Sequence, residues 1–351
     1  MNQKKDFYTE RYNKNILRLR NVLKDLPPFC EEYFRGIEHN SSILTRLNYA
    51  YDLRIFFNYL TKHIDEFKDI SPADFTLEQL NSITMTHIEM FLHHISFYKT
   101  DDNMEYSNRE CGKSRKLSTI RSLLSYFYKK GKIEQNVASL VDLPKIHEKP
   151  IIRLEVDEIA KLLDMVDSGE GLTETQKRYH KYNRSRDLAM LMLFLGTGIR
   201  ISECVGLNIS DLDFDVNGFK ITRKGGNKEI LYFNDEVRTT LLEYLEERKN
   251  IEPLPGHEDA LFLSLQRRRI STRAVQNLVK KYTAHITPLK NISPHKLRST
   301  FGTNLYRKTG DIYLVADVLG HKDVNTTKKH YAAISDDKRR RAARSITLRD
   351  D

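Results

Sequence analysis

The residues best suited to chemistry lie between Ser293 and Ala332, in SPHKLRSTFGTNLYRKTGDIYLVADVLGHKDVNTTKKHYA. His295 and Arg298 stand three residues apart, so on a helix they share a face and can reach one object together. Gly320-His321 follows, and Tyr331 comes ten residues later. Upstream, GTGIRISE puts Arg200 at a helix start, and RKGGNK puts Lys224 beside a tight turn. A phenol, two imidazoles and several cations are odd parts for a core. They suit holding a phosphate and attacking it with tyrosine.

The chemistry follows from the residue types. A guanidinium donates two parallel hydrogen bonds to non-bridging phosphate oxygens and never deprotonates. Arg200 and Arg298 together would stabilise the charge that grows as a fifth oxygen reaches phosphorus. His295 can take the phenol proton or hold the phosphate, and His321 can donate a further bond. Attack by Tyr331 would form a phosphotyrosine ester and release a 5′ oxygen, dividing strand exchange into two steps. Lys224 is suited to protonating that leaving oxygen. The scheme needs no cofactor and no metal, and the chain has no GxxxxGK[ST] loop. Each residue also has a structural reading taken singly. Arg200 pairs with Glu203, Lys224 is solvated with Arg223 and Lys228 as competitors, and the tyrosine is half-buried packing. The conjunction in this order favours chemistry.

Positioning these residues falls to elements that the apolar pattern predicts. RDLAMLMLFLGTG reads as a buried helix stopped by its glycines, and FKITRK with KEILYF reads as a β-hairpin around GGN. Helices are expected over 236–248, 272–285, 294–308, 311–319 and 324–333, Pro294 being well placed in a first turn. In the first half, a short amphipathic helix precedes Pro27-Pro28, and others cover 41–63 and 84–98. KTDDNMEYSNRECGKS reads as an exposed polar loop. In the next helix, Ile120, Leu123, Leu124, Phe127 and Tyr128 form one stripe, and no acid occurs between Cys111 and Ile133. An acid-free stretch is unusual for a solvated face, so Arg115, Lys116 and Arg121 are candidate phosphate contacts. NVASLVDLPKIHEKPIIRL reads as an extended linker. The fold class expected is mainly α with a small β-sheet.

Composition agrees with a polyanionic partner. The 351 residues include 58 Lys and Arg against 48 Asp and Glu, a formal charge of +10. Before residue 150 the count is 23 against 20, and after it 35 against 28, so both halves are basic. Three scattered cysteines (Cys30, Cys111, Cys204) argue against a disulfide framework and for a reducing compartment. No run reaches the length of a membrane span, so the expectation is a soluble cytoplasmic, nucleoid-associated protein with no membrane partner.

GTGIRISECVGL, ITRKGGNKEI, and SPHKLRSTFGTNLY with LGHKDVNTTKKHY resemble the conserved boxes of the tyrosine recombinase (phage integrase) superfamily. The resemblance is strongest to the bacterial Xer recombinases of the single-recombinase, XerS-like type. The family's catalytic set then falls on Arg200, Lys224, His295, Arg298, His321 and Tyr331, with Tyr331 as nucleophile. Ser299 departs from the histidine found in many relatives, outside those six. The resemblance implies a two-domain C-shaped DNA clamp. Its parts are an N-terminal helical extension (1–25), a SAM-like helical core-binding domain (26–132), a linker (133–150), a catalytic domain (151–344) and a tail (345–351). It implies double-stranded DNA as partner, a homotetramer on two recombination sites, a 3′-phosphotyrosine intermediate and a Holliday junction. The segment after Tyr331 is expected to dock on a neighbouring protomer. The role implied is chromosome dimer resolution, with a DNA translocase or other accessory factor as a further partner. An integrase or excisionase of a mobile element is the alternative, and a DNA-binding protein without chemistry the third.

Overall fold

A computed structural model describes residues 7–100, 102–145, 152–223, 226–321 and 323–325. The chain divides into two compact units, Met1–Lys149 and Pro150–Asp351.

The first unit is built on a long helix. α1 (Phe7–Leu23) ends before Pro27-Pro28 and α2 (Phe29–Gly36) follows. α3 (Ile43–His63) begins at Ser42, whose hydroxyl accepts from the Thr45 N–H at 3.1 Å and satisfies one orphan donor. α4 (Leu77–Asn81) and α5 (Met85–His94) both start on capping boxes, from Thr76 and Thr84. α6 (Glu110–Lys129) completes the layer and stops before Gly131, which takes φ 66°. Leu53, Phe56, Phe57 and Leu60 of α3 are fully buried, with Phe91 of α5 and Leu123 and Phe127 of α6. Each such side chain stabilises the unit by about 1.5–3 kcal/mol.

Three expectations differ here. The helix expected to reach residue 98 ends at His94. Phe97–Lys99 (β1) instead pairs antiparallel with Glu105–Ser107 (β2), inside the stretch expected to be a loop. Cross-strand packing decides it: Tyr98 and Tyr106 are directly opposite and their rings stack at 5.4 Å. The expected linker is partly core, because Ile133, Ala138 and Val141 are buried against the first unit.

In the second unit α7 (Val156–Ser168) and α8 (Glu174–Thr197) come first. α8 starts twelve residues before the apolar run, on a capping box from Thr173. Its C-terminal half is apolar on all sides, as a helix enclosed by others must be. Ala189, Met190, Leu191, Leu193 and Phe194 are fully buried, and α7, α10 (Asp235–Lys249) and α12 (Pro294–Thr309) pack around α8. Between them lie α9 (Ile201–Cys204) and a three-stranded antiparallel sheet: β3 (Leu212–Asp213), β4 (Gly218–Thr222) and β5 (Lys228–Tyr232). The expected hairpin is thus β4–β5, with Phe219 opposite Leu231 and Thr222 opposite Lys228. α11 (Thr272–Ile286) precedes α12, and α13 (Ile312–Leu319) follows it. Pro294 occupies the first turn of α12, and the Asp311 carboxylate caps α13 by accepting from the Tyr313 and Leu314 N–H groups. Val315 and Leu319 seat α13 on Phe301, Leu305 and Tyr306 of α12.

Candidate active site

The site forms where three chain segments meet the C-terminal end of α13. The final carbonyls of any helix lack intrahelical partners. In α13 a Schellman motif satisfies two of them: the His321 N–H donates to Ala316 O at 2.9 Å and the Gly320 N–H to Asp317 O at 2.7 Å. Gly320 takes φ 59°, the left-handed conformation that the motif requires. The carbonyls of Val318, Leu319 and Gly320 are left, and arginines take all three.

Arg200 sits at the N-cap of α9, directly after the turn that ends α8 at Gly198. Its Nη2 donates to Gly320 O at 2.8 Å and Leu319 O at 3.1 Å, while Nη1 donates to Glu203 Oε1 at 2.9 Å. Arg298, in the second turn of α12 and 4 % exposed, donates to Leu319 O and to Gly198 O. Arg223, at the end of β4, donates from Nη2 to Val318 O at 3.2 Å and from Nη1 to Leu319 O at 3.3 Å. Its Nε donates to Glu229 Oε2 at 2.7 Å, and its Nη1 lies 3.6 Å from Glu203. Leu319 O therefore receives three guanidiniums. The negative end of the α13 dipole favours this gathering of cations.

His321 follows Gly320 directly and is half-buried. His295 is exposed in the first turn of α12, one turn before Arg298. The fold thus brings Arg200 and Arg298 onto one oxygen with His321 two residues beyond it. Lys224 and Tyr331 lie outside the described residues, as do residues 326–333 of the helix expected over 324–333 and the tail.

Two residues carry more of the site than the sequence indicated. Arg223 was only a competitor for the lysine role, and Glu203 only a partner for Arg200. Strand parity holds the missing signal: Phe219, Ile221 and Arg223 alternate on one face, and the first two are buried. An arginine continuing a buried face must have buried partners.

The three candidate DNA contacts in α6 all have partners within the first unit. Lys116 is 5 % exposed, with its amine 2.9 Å from Asn108 Oδ1 and 3.7 Å from Asp52. Arg121 donates to the carbonyls of Ala138 and Val141. Arg115 keeps a half-exposed side chain but pairs with Asp52. The acid that α6 lacks locally is supplied by α3, and burial holds that carboxyl above its usual range despite both cations.

Among the described residues no group of three or more His, Cys, Asp or Glu could hold a metal ion, and no helix is long and apolar enough to cross a membrane.

Residues 153–338 match the Phage integrase family. The tyrosine recombinase XerC of Caldanaerobacter subterraneus subsp. tengcongensis is 31% identical over 92% of this chain and 87% of its own. The tyrosine recombinase XerS of Lactococcus lactis subsp. cremoris (strain SK11) is 28% identical over 94% of this chain and 98% of its own. Among solved structures, a post-cleavage complex of the XerH site-specific recombinase with a palindromic difH substrate superposes with a TM-score of 0.62. It covers 83% of this chain and 77% of the other at 21% identity, a likeness of fold. The chain belongs to the phage integrase family, the tyrosine recombinases, which are DNA strand-transferring site-specific enzymes.

Proposed function

We propose that the protein cuts and rejoins duplex DNA at a dedicated site through a 3′-phosphotyrosine intermediate on Tyr331. The supporting observation is the convergence of Arg200 and Arg298 on Leu319 O. Two guanidiniums about a hundred residues apart in the sequence are already held around one oxygen. A carbonyl is a neutral acceptor, so a phosphodiester can replace it in the fork with a gain in charge assistance.

In this reading Arg200 and Arg298 clamp the non-bridging oxygens, and His295 and His321 complete the donor set. The Tyr331 oxygen bonds to phosphorus while the bond to the 5′ oxygen breaks. The phenol proton passes to His295 or water, and Lys224 protonates the departing 5′ oxygen. Attack by another strand's 5′ hydroxyl reverses every step, so ester energy is retained and rejoining needs no external energy. A core-binding unit and a catalytic unit would embrace the duplex, with four protomers on two sites exchanging strands through a Holliday junction. We assign it to the Xer type, acting in chromosome dimer resolution, because relatives named XerC and XerS match along most of their length. The test is covalent trapping on a nicked duplex carrying the mapped site. A denaturation-resistant adduct that disappears in Tyr331→Phe is expected. Binding without any adduct would leave a DNA-binding protein in place of an enzyme.

A further inference from the structure

We propose that Arg223 is a positioning residue that sets the place of Lys224 in the reaction, by clamping the base of the β4–β5 turn to the end of α13. This rests on the reading above, in which Lys224 is the general acid.

The clamp has three arms. The guanidinium reaches α13 through Val318 O and Leu319 O, α9 through Glu203, and its own hairpin through Glu229. Its backbone closes the turn as well: the Arg223 N–H donates to Asn227 O at 2.8 Å, and the Gly226 N–H donates to Arg223 O at 3.0 Å. The residue before Lys224 is thus fixed in main chain and side chain, and it is 7 % exposed. Fixation matters because Lys224 follows Arg223 directly in the sequence, while Arg200 and Arg298, beside which it must work, stand at the start of one helix and inside another. A general acid acts only within hydrogen-bond reach of the leaving atom, and a displacement of about 1 Å costs roughly 100-fold in rate. Neighbouring α carbons are only about 3.8 Å apart. Anchoring Arg223 to the oxygen that also holds Arg200 and Arg298 therefore gives the lysine and the phosphate clamp one common reference point.

Gly320 is built for this approach. A β carbon there would lie 2.6 Å from Arg223 Cζ, so the guanidinium would have to leave its present place. The glycine before His321 thus serves the hairpin arginine as well as the helix cap.

The test separates positioning of the acid from general support of the site. Single-turnover adduct formation by the full-length protein is measured on two nicked duplexes, one with the native 5′ oxygen at the scissile position and one with sulfur. A thiol has a pKa near 8.5, so a thiolate departs without an acid. Arg223→Gln and Lys224→Ala are both expected to slow cleavage about 100-fold on oxygen and to return to within about threefold of wild type on sulfur. Arg223→Gln should also flatten the pH-rate profile on oxygen, as Lys224→Ala does. Arg223→Lys, which keeps the charge without the fork, should remain slow on oxygen. If Arg223→Gln lowers thermal stability too far to assay, Glu229→Gln releases one arm at the surface and is expected to show the same contrast at about tenfold. Equal loss on both substrates, or no loss on oxygen, overturns the proposal. A normal Lys224→Ala overturns it through the lysine, and a wild type without adduct on either duplex overturns the underlying reading of function.

Discussion

Arg115, Lys116 and Arg121 in the first unit, and Arg200, Arg223 and Arg298 in the second, solve one problem differently. Each set must be held in place within a folded chain. In the first unit a carboxylate does most of it, Asp52 facing both Arg115 and Lys116 from a site 3 % exposed. In the second, carbonyl oxygens at a helix end receive all three arginines, with Glu203 beside Arg200 and Arg223 and Glu229 also beside Arg223. A carboxylate fixes a cation and cancels its charge. A carbonyl fixes it and leaves the charge in place. A local count of basic residues therefore reports little about which surface attracts a phosphate; the partners decide.

The largest effect that would sharpen this contrast is on rate. Arg298→Ala should slow adduct formation about 100- to 1000-fold, the usual loss for one preorganised donor, in a single-turnover assay. Wild-type speed would remove Arg298 from the phosphate clamp. Next is stability in the first unit: Asp52→Ala leaves Arg115 and Lys116 without their carboxylate and should cost about 3 kcal/mol, seen in denaturant unfolding. A neutral result would mean that the Asp52 carboxylate does not hold the two cations in place. Gly320→Ala adds a β carbon at φ 59° against Arg223 and should cost about 2 kcal/mol by thermal unfolding, with cleavage impaired beyond that. Arg121→Met should cost about 1 kcal/mol, from the freed carbonyls of Ala138 and Val141. It should also leave the salt slope of DNA binding unchanged; a slope lowered by about one would make Arg121 a phosphate contact after all.

The smallest effect is a pH dependence. Burial, then His63 and His93, hold the His94 imidazole below its ordinary range. The unfolded imidazole takes a proton near pH 6.5 while the folded one resists, so the unfolded state binds more protons. Stability should then fall as pH drops below about 6.5 and level off beneath the folded value. Thermal scans of wild type at pH 7.5 and 5.5 would show a difference that His94→Gln reduces. An unchanged difference would place the sensitivity elsewhere.

Legibility in the sequence followed the range of the interaction. Elements defined by local signals were readable to within a residue or two: α12 from Pro294, α13 from Asp311 and Gly320, and the β4–β5 hairpin from its glycines. The β1–β2 hairpin was not, because Phe97 and Tyr98 continue a helical period and only the partner Tyr106 shows that they form a strand. Ile133, Ala138 and Val141 read as linker because a short irregular segment has no periodicity to reveal its burial. At the site, Arg200, Arg298 and His321 carried a recognisable order. The place of Arg223 depended on carbonyls 95 and 96 residues away.

That long reach has a consequence for the growing chain. The bonds from Arg200 to Gly320 O and from Arg298 to Gly198 O close intervals of 120 and 100 residues. Contacts across such intervals form late, because loop closure must precede them. During synthesis from the N-terminus, α8 and α9 emerge well before the carbonyls that hold Arg200. The helical framework can settle while the arginines are still unorganised, and a truncated chain ending before residue 318 lacks the clasp altogether. Organisation of the arginine cluster is thus deferred until residues 318–320 have emerged.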